Sequence, residues 1–154
     1  GLRINLLVVC GRNEELHKRL SELKANNQTT IASFGFVDNM NEMIDCSDIV
    51  VTKAGAASTY EALLMKKPIL FFDYVAYNEY ANIEFVLRNG LGWFARNNKE
   101  IIGLIKKFIN DTHKLEEIQK RFNTMDFRNG AYPIARFVDE CANARIETKA
   151  DGEI

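Results

Sequence analysis

The chain has 154 residues, about one domain at roughly 150 residues each, and 20 Lys+Arg against 21 Asp+Glu leave a net charge of −1. With 47% hydrophobic and 27% charged residues, disordered and collagen-like chains are excluded. The charge balance argues against nucleic acid as a partner, since phosphate contacts need a basic excess.

A chain of this length buries roughly 70% of the surface its unfolded form exposes, so disulfide staples are unnecessary. Cys10, Cys46 and Cys141 form no Cys-x-x-Cys pair. They are expected to act as small hydrophobes in a reduced, cytoplasmic compartment. His17 and His113 lie far apart, and no metal site is expected. No apolar run approaches the roughly 18 residues that span a membrane.

In chain order, Ile4 to Val9 is an apolar run that reads as a buried strand. Glu14 to Lys24 follows as a helix, with Leu16, Leu20 and Leu23 on one face and Asn13 as its cap. Thr30 to Phe36 is a second strand. Asn39 to Cys46 is a short helix capped by Asp38 or Asn39, and Asp48 to Thr52 is a third strand. Ser58 to Met65 is a helix. Pro68 to Phe72 is a strand with proline at its first position, where no ladder donor is lost. Glu79 to Arg88 is a helix that Asn89-Gly90 should end. Gly92-Trp93-Phe94 makes a fifth, short strand. From Glu100 onward the spacing is helical in three segments, with Pro133 in the first turn of the last. Glu147 to Ile154 is polar and expected to fray.

Alternating strands and helices predict an α/β domain. Its sheet should be doubly wound and mostly parallel, with helices on both faces and further helices at the C-terminus. Ligands of such sheets bind beyond the carboxyl ends of the strands. The informative loops are therefore those after each strand. None holds a dinucleotide fingerprint, a P-loop or a hydrolase elbow.

Lys53-Ala54-Gly55-Ala56-Ala57-Ser58-Thr59-Tyr60-Glu61 joins a strand to a helix. Gly55, Ala56 and Ala57 let backbone approach a ligand closely, and the helix N-terminus suits phosphate. Ser58 adds a hydroxyl, and Glu61 is placed to accept from a pair of sugar hydroxyls. Ser58-x-x-Glu61 is equally a capping box, which needs no ligand. Asn78, Glu79 and Asn82 mix donors and acceptors suited to a polyol. They also fit a plain helix start, with Asn78 as cap. Phe36, Val37 and Met40 form an apolar wall for a flat base, or else core packing. Arg12 is a phosphate partner, or else a solvated arginine.

Gly35-Phe36-Val37-Asp38-Asn39-Met40, Cys46 to Gly55, Glu61-Ala62-Leu63, Lys67-Pro68-Ile69, Asn78-Glu79-x-x-Asn82 and Asn89-Gly90 together resemble the C-terminal half of GT-B glycosyltransferases. The monogalactosyldiacylglycerol synthases and bacterial processive diacylglycerol glucosyltransferases are the nearest in pattern. The peptidoglycan lipid-intermediate N-acetylglucosaminyltransferase is a more distant cousin. The likeness runs over about residues 4–95. It implies a Rossmann-like half of a GT-B fold over residues 1–145, lacking its first strand and glycine-rich loop, and a flexible tail at 146–154.

The resemblance also implies a UDP-sugar as donor substrate and no cofactor or metal. Phe36 and Val37 would face the uracil with Met40 beside it, Gly55 to Ser58 would hold the diphosphate, and Glu61 would grip the ribose. Asn78, Glu79 and Asn82 would meet the sugar or diphosphate. Relatives often show Pro-Gly-Gly at Ala54-Gly55-Ala56 and Gly-Gln-Glu at Tyr77-Asn78-Glu79. The expected function is transfer of a hexose to a lipid acceptor such as diacylglycerol, by a protein peripheral to the inner membrane. Here no residue is expected to be catalytic, so the chain alone would be inactive. The alternatives are a donor-binding subunit completed by a partner chain, and a non-catalytic nucleotide-sugar sensor.

Overall fold

The structure is a computed structural model that describes residues 3–23, 29–111, 113–128 and 130–150, without the side chains of 144–150. Five strands alternate with helices: β1 (Ile4–Val9), α1 (Glu14–Ser21), β2 (Thr29–Phe34), α2 (Met40–Asp45), β3 (Val50–Thr52), α3 (Ala56–Leu64), β4 (Ile69–Phe71), α4 (Tyr77–Arg88) and β5 (Gly92–Phe94). Three helices follow: α5 (Asn98–Asn110), α6 (His113–Thr124) and α7 (Ala131–Ala150).

Every strand pairing is parallel. The single sheet expected from the sequence is divided, however. β1 pairs with β2 over six residues in register Ile4 to Thr29, while β3, β4 and β5 form a separate sheet in that order. Parallel sheets keep both faces covered, so their strands are apolar throughout. β4 meets this condition: Ile69, Leu70 and Phe71 have no exposure. Ala62, Leu63, Ile83 and Val86 from α3 and α4 pack around it, as do Ile118 and Phe122 from α6. Phe108 of α5 lies against Trp93 of β5, with ring centroids 4.0 Å apart.

Local signals set most boundaries. The Asn13 side chain accepts from the Leu16 amide at the start of α1. Gly90 takes φ +63°, a left-handed conformation that stops α4. Pro68 stands one residue before β4, and its carbonyl accepts from the Val50 amide at the start of β3. Gly92 is required by contact rather than conformation. A Cβ there would meet the Ile69 carbonyl oxygen and sit 2.8 Å from a Val86 methyl.

Three further expectations about local structure fail. α3 begins at Ala56 with Gly55 as its N-cap, so Ser58 lies inside the helix and the Ser58–Glu61 capping box does not form. The buried Thr59 hydroxyl instead donates to the Gly55 carbonyl at 2.7 Å. Likewise α4 begins at Tyr77, so Asn78 is not its cap. Cys46 and Cys141 are exposed rather than packed as hydrophobes.

Candidate functional site

The parallel ladder carries the loops after β3 and β4 side by side. Past the strand ends, the Phe72 amide donates to the Thr52 carbonyl at 3.2 Å and the Ala54 amide to the Asp73 carbonyl at 2.9 Å. Asn82, one turn into α4, donates its Nδ2 to the Ala54 carbonyl at 2.8 Å. That amide group is thereby committed to holding α4 against the loop, leaving Oδ1 for other partners. Beside it, Lys53 Nζ lies 3.5 Å from Glu79 Oε1. Glu79 Oε2 accepts from the Val75 amide at 2.6 Å. The Val75 amide first, and the Lys53 charge after it, hold the Glu79 carboxyl below the usual carboxylate range against the opposing effect of desolvation.

These contacts frame the α3 N-terminus. An α-helix leaves its first amides without intrahelical partners, and no side chain caps this one. The amides of Ala56, Ala57 and Ser58 are thus available to an acceptor. Gly55 has extended φ and ψ of −64° and 143°. The nearest atom to a Cβ built there is Lys53 Cε, at 3.7 Å. Neither strain nor crowding inside the protein demands glycine at 55. A Cβ there would make ordinary contact with the Lys53 and Glu79 side chains, which reach to the helix end. Glu61 is exposed and lies three and four residues beyond Ser58 and Ala57, on the same helix face.

A second pair sits at the ends of β1 and β2. Phe36 is 72% exposed, which overturns core packing for this ring. The Arg12 guanidinium carbon lies 5.7 Å from its centroid, so Arg12 is stacked rather than simply solvated. Val37 and Met40 beside it are half-buried. Among the described residues no hydrogen bond or ion pair joins this pair to the α3–α4 cluster. The structure thus gathers Gly55, Ala56, Ala57, Ser58, Glu61, Glu79 and Asn82 into one neighbourhood. Exposed Asn78 is at its rim, and Arg12, Phe36, Val37 and Met40 lie in another.

Lys53, Thr59 and Val75 take part in this architecture without being singled out in the sequence. Lys53 had a signal, since it is the first residue past β3. Thr59 and Val75 had none, because their roles depend on the true helix start and on a loop fold. Two open concavities of about 250 and 240 Å³ lie toward the amino ends of the strands, one lined by Ser47 and Pro68, the other by Gly92 and Trp93. Among the described residues no helix is long and apolar enough to cross a membrane. None of the described His, Cys, Asp or Glu residues form a group of three that could hold a metal ion.

Known proteins share both sequence and fold with this chain. Residues 1–134 match the glycosyltransferase family 28 C-terminal domain. Monogalactosyldiacylglycerol synthase 1 of Arabidopsis thaliana is 32% identical over 116 residues, covering 75% of this chain and 21% of its own length. A processive diacylglycerol beta-glucosyltransferase of Staphylococcus carnosus is 28% identical over 131 residues, covering 85% of this chain and 33% of its own length. The chain therefore spans a fifth to a third of these relatives. The crystal structure of Acinetobacter baumannii MurG superimposes with a TM-score of 0.75 at 16% identity, covering 90% of this chain and 42% of that one. That match places the α/β architecture as a Rossmann-like half of the GT-B fold. With more than half of its residues matched, the chain belongs to the glycosyltransferase family 28 C-terminal domains.

Proposed function

We propose that this domain binds the UDP-sugar donor of a glycosyltransferase that moves a hexose to a lipid acceptor such as diacylglycerol. The observation that carries the reading is the uncapped N-terminus of α3 behind an uncrowded Gly55, with the Glu61 carboxylate on the same helix face. Three amides and a positive helix end suit a diphosphate. A carboxylate one turn on suits the paired hydroxyls of a ribose. The exposed Phe36 ring, with Arg12 over it, supplies an apolar edge for the base at the ends of β1 and β2. The lipid acceptor is taken from the relatives, which are named for diacylglycerol. The same amides would stabilise the departing diphosphate, a task backbone donors perform without a metal.

Proton removal from the acceptor needs a base within hydrogen-bond reach. His17 and His113 lie on α1 and α6, outside the strand-end loops. In this reading the base comes from chain beyond these residues, whether fused or as a partner subunit. The complete protein works in the cytoplasm at the inner membrane surface. Thermal melts test the reading. UDP should raise the melting temperature more than ADP or GDP does, because selective binding to the folded state appears as stability. Equal shifts from all three would defeat the uridine assignment.

A further inference from the structure

We infer that Lys53 is the cation that engages the diphosphate of the sugar donor, and that Glu79 is a positioning residue that parks it until the diphosphate arrives. The inference rests on the donor-site reading above. Lys53 follows β3 directly, and its Cε and Nζ lie 3.7 and 4.0 Å from the position a Cβ would take on Gly55. The ammonium is therefore already at the mouth of the α3 N-terminus. Its one side-chain partner among the described residues is Glu79, at 3.5 Å, and its side chain is 52% exposed.

An exposed ion pair of this kind is weak and screened by salt. A diphosphate brings more negative charge than one carboxylate, and it would sit between the α3 amides and the ammonium. Lys53 can then leave Glu79 at little cost. Glu79 is not stranded by the exchange. Its Oε2 keeps the Val75 amide at 2.6 Å, and its side chain stays half-buried against the loop. The carboxylate thus has one permanent partner that fixes the loop after β4 and one that can be surrendered. Glu79 Oε1 lies 3.9 Å from the same point on Gly55, so its charge also opposes a phosphate at the α3 end, and this is the competition that the Lys53 ammonium offsets.

Titrations of UDP, uridine and inorganic pyrophosphate test this, on the parent and on Lys53→Met, Lys53→Arg and Glu79→Gln. Calorimetry suits the two phosphates, and protein amide shifts suit uridine. Lys53→Met should weaken UDP and pyrophosphate about tenfold while leaving uridine binding and the melting temperature unchanged. Lys53→Arg should restore most of the loss. Glu79→Gln keeps an acceptor for Val75 but removes the competing charge, so UDP should bind two- to threefold tighter, on the order of a surface ion pair. UDP binding in Lys53→Met equal to the parent's would overturn the role of Lys53. So would a joint weakening of uridine and UDP in that variant. Failure of Glu79→Gln to tighten UDP would overturn the parking role. If pyrophosphate binding depends on Lys53 but UDP binds no better than pyrophosphate, Lys53 stands and the uridine donor falls. If the parent binds none of the three, both fall.

Discussion

β1 and β4 begin from similar material and end in opposite environments. Ile4-Asn5-Leu6-Leu7-Val8-Val9 is longer and nearly as apolar as Ile69-Leu70-Phe71. Yet Leu6 and Leu7 are about two-fifths exposed while all of β4 is fully buried. The difference is in the neighbours. β4 has a strand on each side and buried side chains of α3, α4 and α6 clustered with it, whereas β1 has one strand, with α1 packed on β2. Every buried residue among those described lies between Ile44 and Phe122. An apolar run therefore specifies a strand, but its burial is conferred by what flanks it.

The largest effect should come from truncating each side of that contrast. Phe71→Ala should cost about 3–5 kcal/mol, since it empties a fully enclosed site. Leu6→Ala should cost about 1 kcal/mol or less, because much of that side chain already faces water. Urea unfolding of both variants measures the gap. Comparable losses would mean that β1 is buried in solution.

Glycines sharpen the same comparison. Gly92→Ala drives a methyl into the Ile69 carbonyl and Val86, so a loss of about 1–3 kcal/mol is expected from overpacking. Gly55→Ala meets nothing closer than ordinary contact, and its melting temperature should hold while UDP binding weakens. A stable Gly92→Ala domain would break the contact argument, and an unstable Gly55→Ala domain would make Gly55 structural.

Within α3 the contrast repeats on one helix. Thr59, Ala62 and Leu63 face the core, and Glu61 faces out. Glu61→Gln should therefore leave the melt unchanged and cost about 1–3 kcal/mol in UDP binding, through loss of charge-assisted bonds. UDP titration of the folded mutant decides it, and unchanged affinity would remove Glu61 from the site.

Acid provides the smallest test. The Glu79 carboxyl is depressed in the folded state. Its contribution is therefore complete above the ordinary Glu value of about 4.3 and is lost as pH falls through the lower, folded one. Melting temperatures measured from pH 6 downward should fall less steeply for Glu79→Gln than for the parent. Parallel curves would show that the Val75 and Lys53 contacts do not operate in solution.

The strands, their parallel sense and the strand-end loops were legible because apolar runs and helical spacing alternate cleanly from Ile4 to Gly90. The division between β2 and β3 was not legible, since nothing in either run records whether a third neighbour is present. The start of α3 was misplaced for a chemical reason. Ser58 and Glu61 carry the side chains of a capping box, but Gly55-Ala56-Ala57 has no side chain that signals a helix beginning two residues earlier. The Lys53–Glu79 contact spans 26 residues and arises only because β3 and β4 are adjacent, so no local pattern could announce it.

The outer edge of β1 has a colloidal consequence. Proteins protect open strand edges with lysines, prolines, bulges or covering elements. Ile4 to Val9 contains no charge, proline or glycine, and among the described residues no strand covers its second edge. Six uncharged, β-prone residues with unpaired backbone match the pattern of segments that stack between chains. Purified by itself, this domain should lose solubility with increasing concentration through β1 rather than through its core. A single lysine at Leu6 or Leu7 should delay that loss with little effect on the melt.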